Sequence, residues 1–219
     1  MRWAAVVGAS VLCVTACRKR DRSATLHPPP GAEAWEPRFA VAFDDGYTRE
    51  AVNLTGRAPH DVLDQRLFAA RLGHAAIVAL VEVDQVWARG RNEGSQDQYL
   101  DVAIDEVLLG SLPKSVSEDQ LVRIAGTEEL PGTLQGEKML MFVRWAPGEQ
   151  PAYHHHLMPA DEEAVAYVEA LVDHAKAEGV LADDGSIRKR PGRKKRKKDR
   201  GDDKGPKVDV EEVESPVGG

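Results

Sequence analysis

Two stretches constrain this fold more than any other part of the chain. Between Ala75 and Trp87, residues Ile77, Ala79, Val81 and Val83 share one side of an extended chain, with Glu82 and Asp84 on the other. Between Tyr99 and Leu109, Leu100, Val102 and Ile104 alternate with Asp101, Ala103 and Asp105. A period of two over this length does not suit a helix and calls for long strands with one face in a core. The phase slips at Glu106-Val107, which predicts a bulge. Gly90 to Asp97 is polar and reads as the connecting loop.

Shorter segments complete the pattern. Leu121 to Ala125 reads as a third strand and Glu137 to Trp145 as a fourth. The run Met139-Leu140-Met141-Phe142-Val143 predicts burial on both faces. Pro151 to Met158 reads as a fifth strand at an edge, because Pro151 cannot donate to a ladder. A helix is expected over 61–72, capped by Asp61, with Leu63, Leu67 and Ala70 on one face and Gly73 as its stop. A second helix is expected from Asp161 to Glu178. Asp161, Glu162 and Glu163 suit the positive end of its dipole. Val165, Val168, Leu171, Val172 and Ala175 form its apolar stripe, and Gly179 fits the position just past its end. The expected class is α+β, mainly β: an antiparallel sheet or small barrel of about five strands flanked by a short N-terminal and a C-terminal helix.

The N-terminus carries an address. Arg2 is basic, Trp3 to Val14 is an uncharged and mostly apolar run, and small residues follow. Such a run fits a signal peptide and falls short of the roughly 20 apolar residues of a membrane span. Val14-Thr15-Ala16-Cys17 resembles the lipobox of bacterial lipoproteins at all four positions. The resemblance implies cleavage before Cys17, a diacylglyceryl group on its thiol and usually an acylated amino group. Two or three acyl chains anchor a protein stably where one does not. Cys13 would leave with the signal and Cys17 would be blocked by lipid. A mature chain without a free thiol excludes Cys-dependent catalysis, thiol redox chemistry and Cys-type zinc sites.

The segments follow from composition. Residues 1–16 are the expected signal, 17–34 a tether containing Pro28-Pro29-Pro30-Gly31, 35–181 the globular body and 182–219 a disordered tail. Charge separates strongly along the chain: residues 24–187 carry a net −16, residues 188–207 a net +9, and 208–219 four acids and no base. Arg188, Lys189, Arg190, Arg193, Lys194, Lys195, Arg196, Lys197 and Lys198 form a dense cationic run with no aromatic on which bases could stack. Beyond a membrane its anionic partners would be lipid headgroups, lipopolysaccharide phosphates or acidic wall polymers, each basic residue near such a surface contributing about 1 kcal/mol. Lying on the chain's own acidic body, or simply remaining solvated, are the other roles open to it.

A second resemblance concerns the body. Val107-Leu108-Leu109-Gly110 and, later, Gly136-Glu137-Lys138-Met139-Leu140-Met141-Phe142 are similar to segments of OB-like modules of the tissue-inhibitor/netrin type. Over roughly Ala75 to Met158, this resemblance implies a small OB-like barrel. The inhibitory members reach a metal with a free N-terminal Cys, and an acylated Cys17 does not supply one.

The sharpest local cluster is Tyr153-His154-His155-His156. On a strand His154 and His156 share a face, and neutral imidazoles there could hold zinc if a third ligand joined them; Asp161, Glu162 and His174 are the candidates. A solvated edge strand, its imidazoles packed beside Tyr153 or bonded to backbone, is the plainer reading. Asp44-Asp45-Gly46 reads as a turn, lacking the ligand spacing of a calcium loop. No phosphate loop, dinucleotide fingerprint or serine-nucleophile motif is present. The expectation is therefore a lipid-anchored, non-catalytic binding or scaffolding protein of the cell envelope, at the outer membrane facing the periplasm. Its only bound group would be the covalent lipid on Cys17. Its basic tail would contact lipopolysaccharide, an acidic wall polymer or an envelope protein, with nucleic acid a distant alternative. A metal-dependent periplasmic hydrolase using His154 and His156 is the competing reading.

Overall fold

The computed structural model describes residues 23–89, 97–117, 120–127 and 129–182. The lipobox and the basic run therefore lie outside the described residues. In chain order the elements are strand β1 (Ala24–Thr25), strand β2 (Gly46–Tyr47), helix α1 (Pro59–His74), strands β3 (Ile77–Arg89), β4 (Asp97–Leu109), β5 (Val122–Gly126), β6 (Lys138–Trp145) and β7 (Tyr153–Pro159), and helix α2 (Glu162–Ala177). Short 3-10 turns occupy Pro37–Phe39 and Gly132–Leu134. The class is α+β and mainly β, as the periodicity implies.

All strands among the described residues belong to one seven-stranded mixed sheet in the order β1-β5-β4-β3-β6-β7-β2. The five long strands pair antiparallel, and the two-residue strands β1 and β2 add in parallel at its ends. The sheet is open, which corrects the OB-like barrel. A ladder between β5 and β7 would be needed for closure, but the free edge of β5 is taken by β1 and that of β7 by β2. The sheet still curls. The Tyr153 hydroxyl donates to the Arg123 carbonyl at 3.1 Å, and the Thr127 amide to the Asp45 carbonyl at 3.1 Å. These bonds join the two halves without a ladder.

The predicted bulge is present and is not alone. Between β3 and β4 the register shifts three times, passing over Leu108, Asp105 and Asp84. Each extra residue raises the local twist, which supplies the curl. Gly110 ends β4 at φ +80°, and a β-carbon there would stand 2.1 Å from the Ala76 carbonyl oxygen, so only glycine fits the crossing.

Two apolar layers flank the sheet. Inside the curl, Ala79, Val81, Leu100, Val102, Ile124 and Met141 pack with Leu26, which is fully buried. The segment after Ser23 is thus part of the body: Ala24–Thr25 forms a strand and Leu26 enters the core. This moves the start of the body from Trp35 back to Ala24. Within the expected Pro-rich tether 17–34, one buried leucine among prolines makes no periodic pattern. On the other face Val78, Leu140, Phe142 and Met158 meet Phe68 of α1 and Ala164, Val168 and Val172 of α2. Strand β6 feeds both layers, which accounts for its continuous apolar run.

Both helices differ from expectation on their faces. In α1, Phe68 and Arg71 turn inward while Leu63 is exposed. Asp61 reaches back to the Ala58 amide at 3.0 Å, and the helix continues one residue beyond Gly73. Helix α2 ends as the glycine predicts: Gly179 has φ +70°, its amide donates to the Lys176 carbonyl, and the Val180 amide donates to that of Ala175. Leu171, however, is exposed. Among the described residues no helix is long and apolar enough to cross a membrane.

Candidate functional site

Helices α1 and α2 cover the same face of the sheet but meet only lightly, with Phe68 and Tyr167 rings 6.0 Å apart. The gap between them is a groove of about 940 Å³. Phe68 and Leu72 of α1, Val168, Leu171 and Val172 of α2, Leu109 and Trp145 of the sheet, and the Pro29–Glu33 segment line it. Ligand pockets commonly span roughly 300–1,000 Å³ with mostly apolar walls and a few polar groups. The exposed Tyr167, Leu171 and Val180 stand along this groove. The sequence hinted at it only through the stripe of α2, which carries more apolar positions than one packed face needs.

Two charged side chains line the groove, Arg144 and its partner Glu33. The Arg144 side chain, on β6, is 11 % exposed. Its Nη1 donates to the His74 carbonyl at 2.7 Å and its Nη2 to Glu33 Oε2 at 2.8 Å. The guanidinium lies 4.3 Å from the centre of the Phe39 ring. Its counterion is loosely held, because the Glu33 side chain is 82 % exposed.

A second polar cluster stands where β2 meets β7. The Asp44-Asp45-Gly46 bend is the turn predicted from sequence, with Asp45 at φ +55° and the Gly46 amide donating to Asp44 Oδ1 at 3.1 Å. Asp45 accepts the His155 amide at 2.9 Å and lies 2.7 Å from His154 Nδ1 and 3.1 Å from His155 Nδ1. His154 Nε2 is 2.9 Å from Glu149, and the ring lies 4.1 Å from that of Trp35. His156 Nδ1 is 2.7 Å from Asp44, and its Nε2 is buried without a hydrogen-bond partner. Arg71, buried and bonded to the Ala42 carbonyl at 2.9 Å, adds a positive charge to the same region.

Strand geometry does place His154 and His156 on one face, as predicted, but does not join them in a metal site. Each Nδ1 is committed to a different carboxylate, and Glu149 engages the far nitrogen of His154. Asp161, Glu162 and His174 do not join them. Among the described residues no group of three or more His, Cys, Asp or Glu side chains could hold a metal ion.

The two imidazoles titrate in opposite directions. For His154, burial lowers the pKa, but the hydrogen bonds and charges of Asp45 and Glu149 outweigh it and hold the pKa above the ordinary 6.5. For His156, burial dominates and, with the charges of Arg71 and His155, carries the pKa below 6.5 despite Asp44. Burial raises Asp44, yet its bonds to His156 and the Gly46 amide keep it below the usual carboxylate value. These directions agree if neutral His156 donates its Nδ1 proton to ionised Asp44.

The sign of each contribution to stability follows. His154 stabilises fully below pH 6.5 and loses that contribution as pH rises through its elevated folded value. His156 stabilises fully above 6.5 and loses it as pH falls toward its depressed folded value. Histidine-resolved NMR titration at pH 6.5 is expected to find His154 mostly protonated and His156 mostly neutral. The reverse order would contradict the hydrogen-bond assignment.

No family model, curated protein or solved structure matches the chain.

Proposed function

We propose that the chain is a lipid-anchored cell-envelope protein that works as a non-catalytic binding module, taking its ligand in the groove between α1 and α2. Acylation at Cys17 would hold it at the outer membrane facing the periplasm. The cationic run from Arg188 to Lys198 would contact lipopolysaccharide, an acidic wall polymer or an envelope protein. The observation that carries the binding reading is the groove itself: a largely apolar hollow of ligand size left between two helices that pack on the sheet and hardly on each other. The anchor rests on the residues Val14-Thr15-Ala16-Cys17 alone. The hydrolase reading gains no support from the histidines: Asp45 and Glu149 engage both nitrogens of His154, Asp44 engages Nδ1 of His156, and the remaining His156 Nε2 is buried.

Two measurements test this. Replacing Cys17 with Ala should move the protein from the membrane to the soluble fraction; unchanged membrane association would overturn the anchor. A neutral apolar fluorophore such as Nile red should bind the purified body, and Leu171→Asp should weaken it at least tenfold without unfolding the chain, because Leu171 is 41 % exposed. Absence of binding to the unaltered body, or equal binding by the variant, would overturn the groove as the ligand site.

A further inference from the structure

Resting on the groove as the ligand site, we propose that its ligand is a long-chain fatty acid. The hydrocarbon chain would lie against Phe68, Leu72, Leu171 and Val172, and its carboxylate would take the place of Glu33 on Arg144. Three observations converge on this. The walls are chiefly apolar, and among the residues that line them Arg144 is the single cation. That arrangement fits a molecule with an extended apolar body and one anionic terminus. The guanidinium is nearly buried and fixed in place by the His74 carbonyl and the Phe39 ring, so it is organised before any ligand arrives. Its present partner is a carboxylate at 2.8 Å, which shows that a carboxylate fits this position. Glu33 is four-fifths exposed and sits on a loop segment, so it can yield to a carboxylate that the groove holds.

Charge decides how the work is divided. The net −16 of residues 24–187 opposes any anion at a distance. Affinity would come from burial of the chain against the apolar walls, offset by the cost of ordering it. Arg144 would set orientation and the preference for an acid over an alcohol.

The test is competition against bound Nile red by oleate, oleyl alcohol and a lysophospholipid with an oleoyl chain. Oleate is expected to bind at least tenfold more tightly than oleyl alcohol, a difference of about 1.4 kcal/mol that one hydrogen bond between charged groups supplies. Arg144→Gln should remove that preference, and Glu33→Ala should tighten oleate severalfold while leaving oleyl alcohol unchanged. The Glu33 variant guards against misfolding, because its side chain lies largely in water and a merely structural role would not raise affinity. Equal binding of acid and alcohol, or stronger binding of the lysophospholipid, would overturn the fatty-acid assignment while leaving the groove intact. Failure of all three to displace the fluorophore would likewise overturn it. If the fluorophore itself does not bind, the groove reading fails first.

Discussion

Phe142→Ala is expected to lower the unfolding free energy by about 3–5 kcal/mol, the range for a large aromatic truncated in a core. The side chain is fully buried on β6, within the layer beneath the helices. It meets Phe68 of α1 edge-on, with centroids 5.9 Å apart and planes at 86°. Val78 and Leu140 are backbone-rigid strand neighbours in the same layer, so the void cannot close by a simple shift of side chains. Urea unfolding at neutral pH should show the midpoint fall with little change in slope. A loss under about 1.5 kcal/mol would mean that the helix layer collapses onto the gap, and that the two layers are less tightly built than their burial implies.

Asp45→Ala should cost about 3–4 kcal/mol, far more than a surface carboxylate ordinarily would. Three effects coincide. The His155 amide loses its acceptor at 2.9 Å. His154 loses one of the two carboxylates that hold its proton, keeping only Glu149. The residue at position 45 has φ +55°, where alanine is disfavoured by about 1–2 kcal/mol and Asp or Asn is tolerated. Asp45→Asn separates these effects, because it keeps the turn and one acceptor oxygen; its loss should be about half as large. It should also lower the His154 pKa toward the ordinary value. Because the same turn carries β2 onto β7, the alanine variant should further speed amide exchange at Tyr47 and Leu157. A loss below about 1 kcal/mol for Asp45→Ala would overturn this account of the cluster.

The parts of this molecule that a reader of the sequence can recover are those with local repetition. Strands β3 to β7 announce themselves by alternation or by a continuous apolar run, and α2 by its spacing and its terminal Gly179. The slip at Glu106-Val107 marks the stretch where β4 passes over Asp105 and Leu108. Strands β1 and β2 gave no such signal. Two residues cannot show a period, and each exists only because a long neighbour offers it an unpaired edge. Those two edges then decided that the sheet would stay open. The histidine cluster was visible as a motif, but its chemistry was not. Asp44 and Asp45 lie more than a hundred positions before His154 and His156, and only the parallel pairing of β2 with β7 sets them 2.7 Å apart.

The sequence by itself determined the secondary structure of the long elements and the separation of charge along the chain, and Val14-Thr15-Ala16-Cys17 supplied the basis for the proposed anchor. Such features depend on neighbours within a few positions. Only the tertiary structure decided which carboxylates hold which imidazoles, why Leu171 faces out, and that a groove lined by Arg144 lies between the helices. Those are properties of gaps and contacts between distant segments, and a gap leaves no residue of its own in the chain.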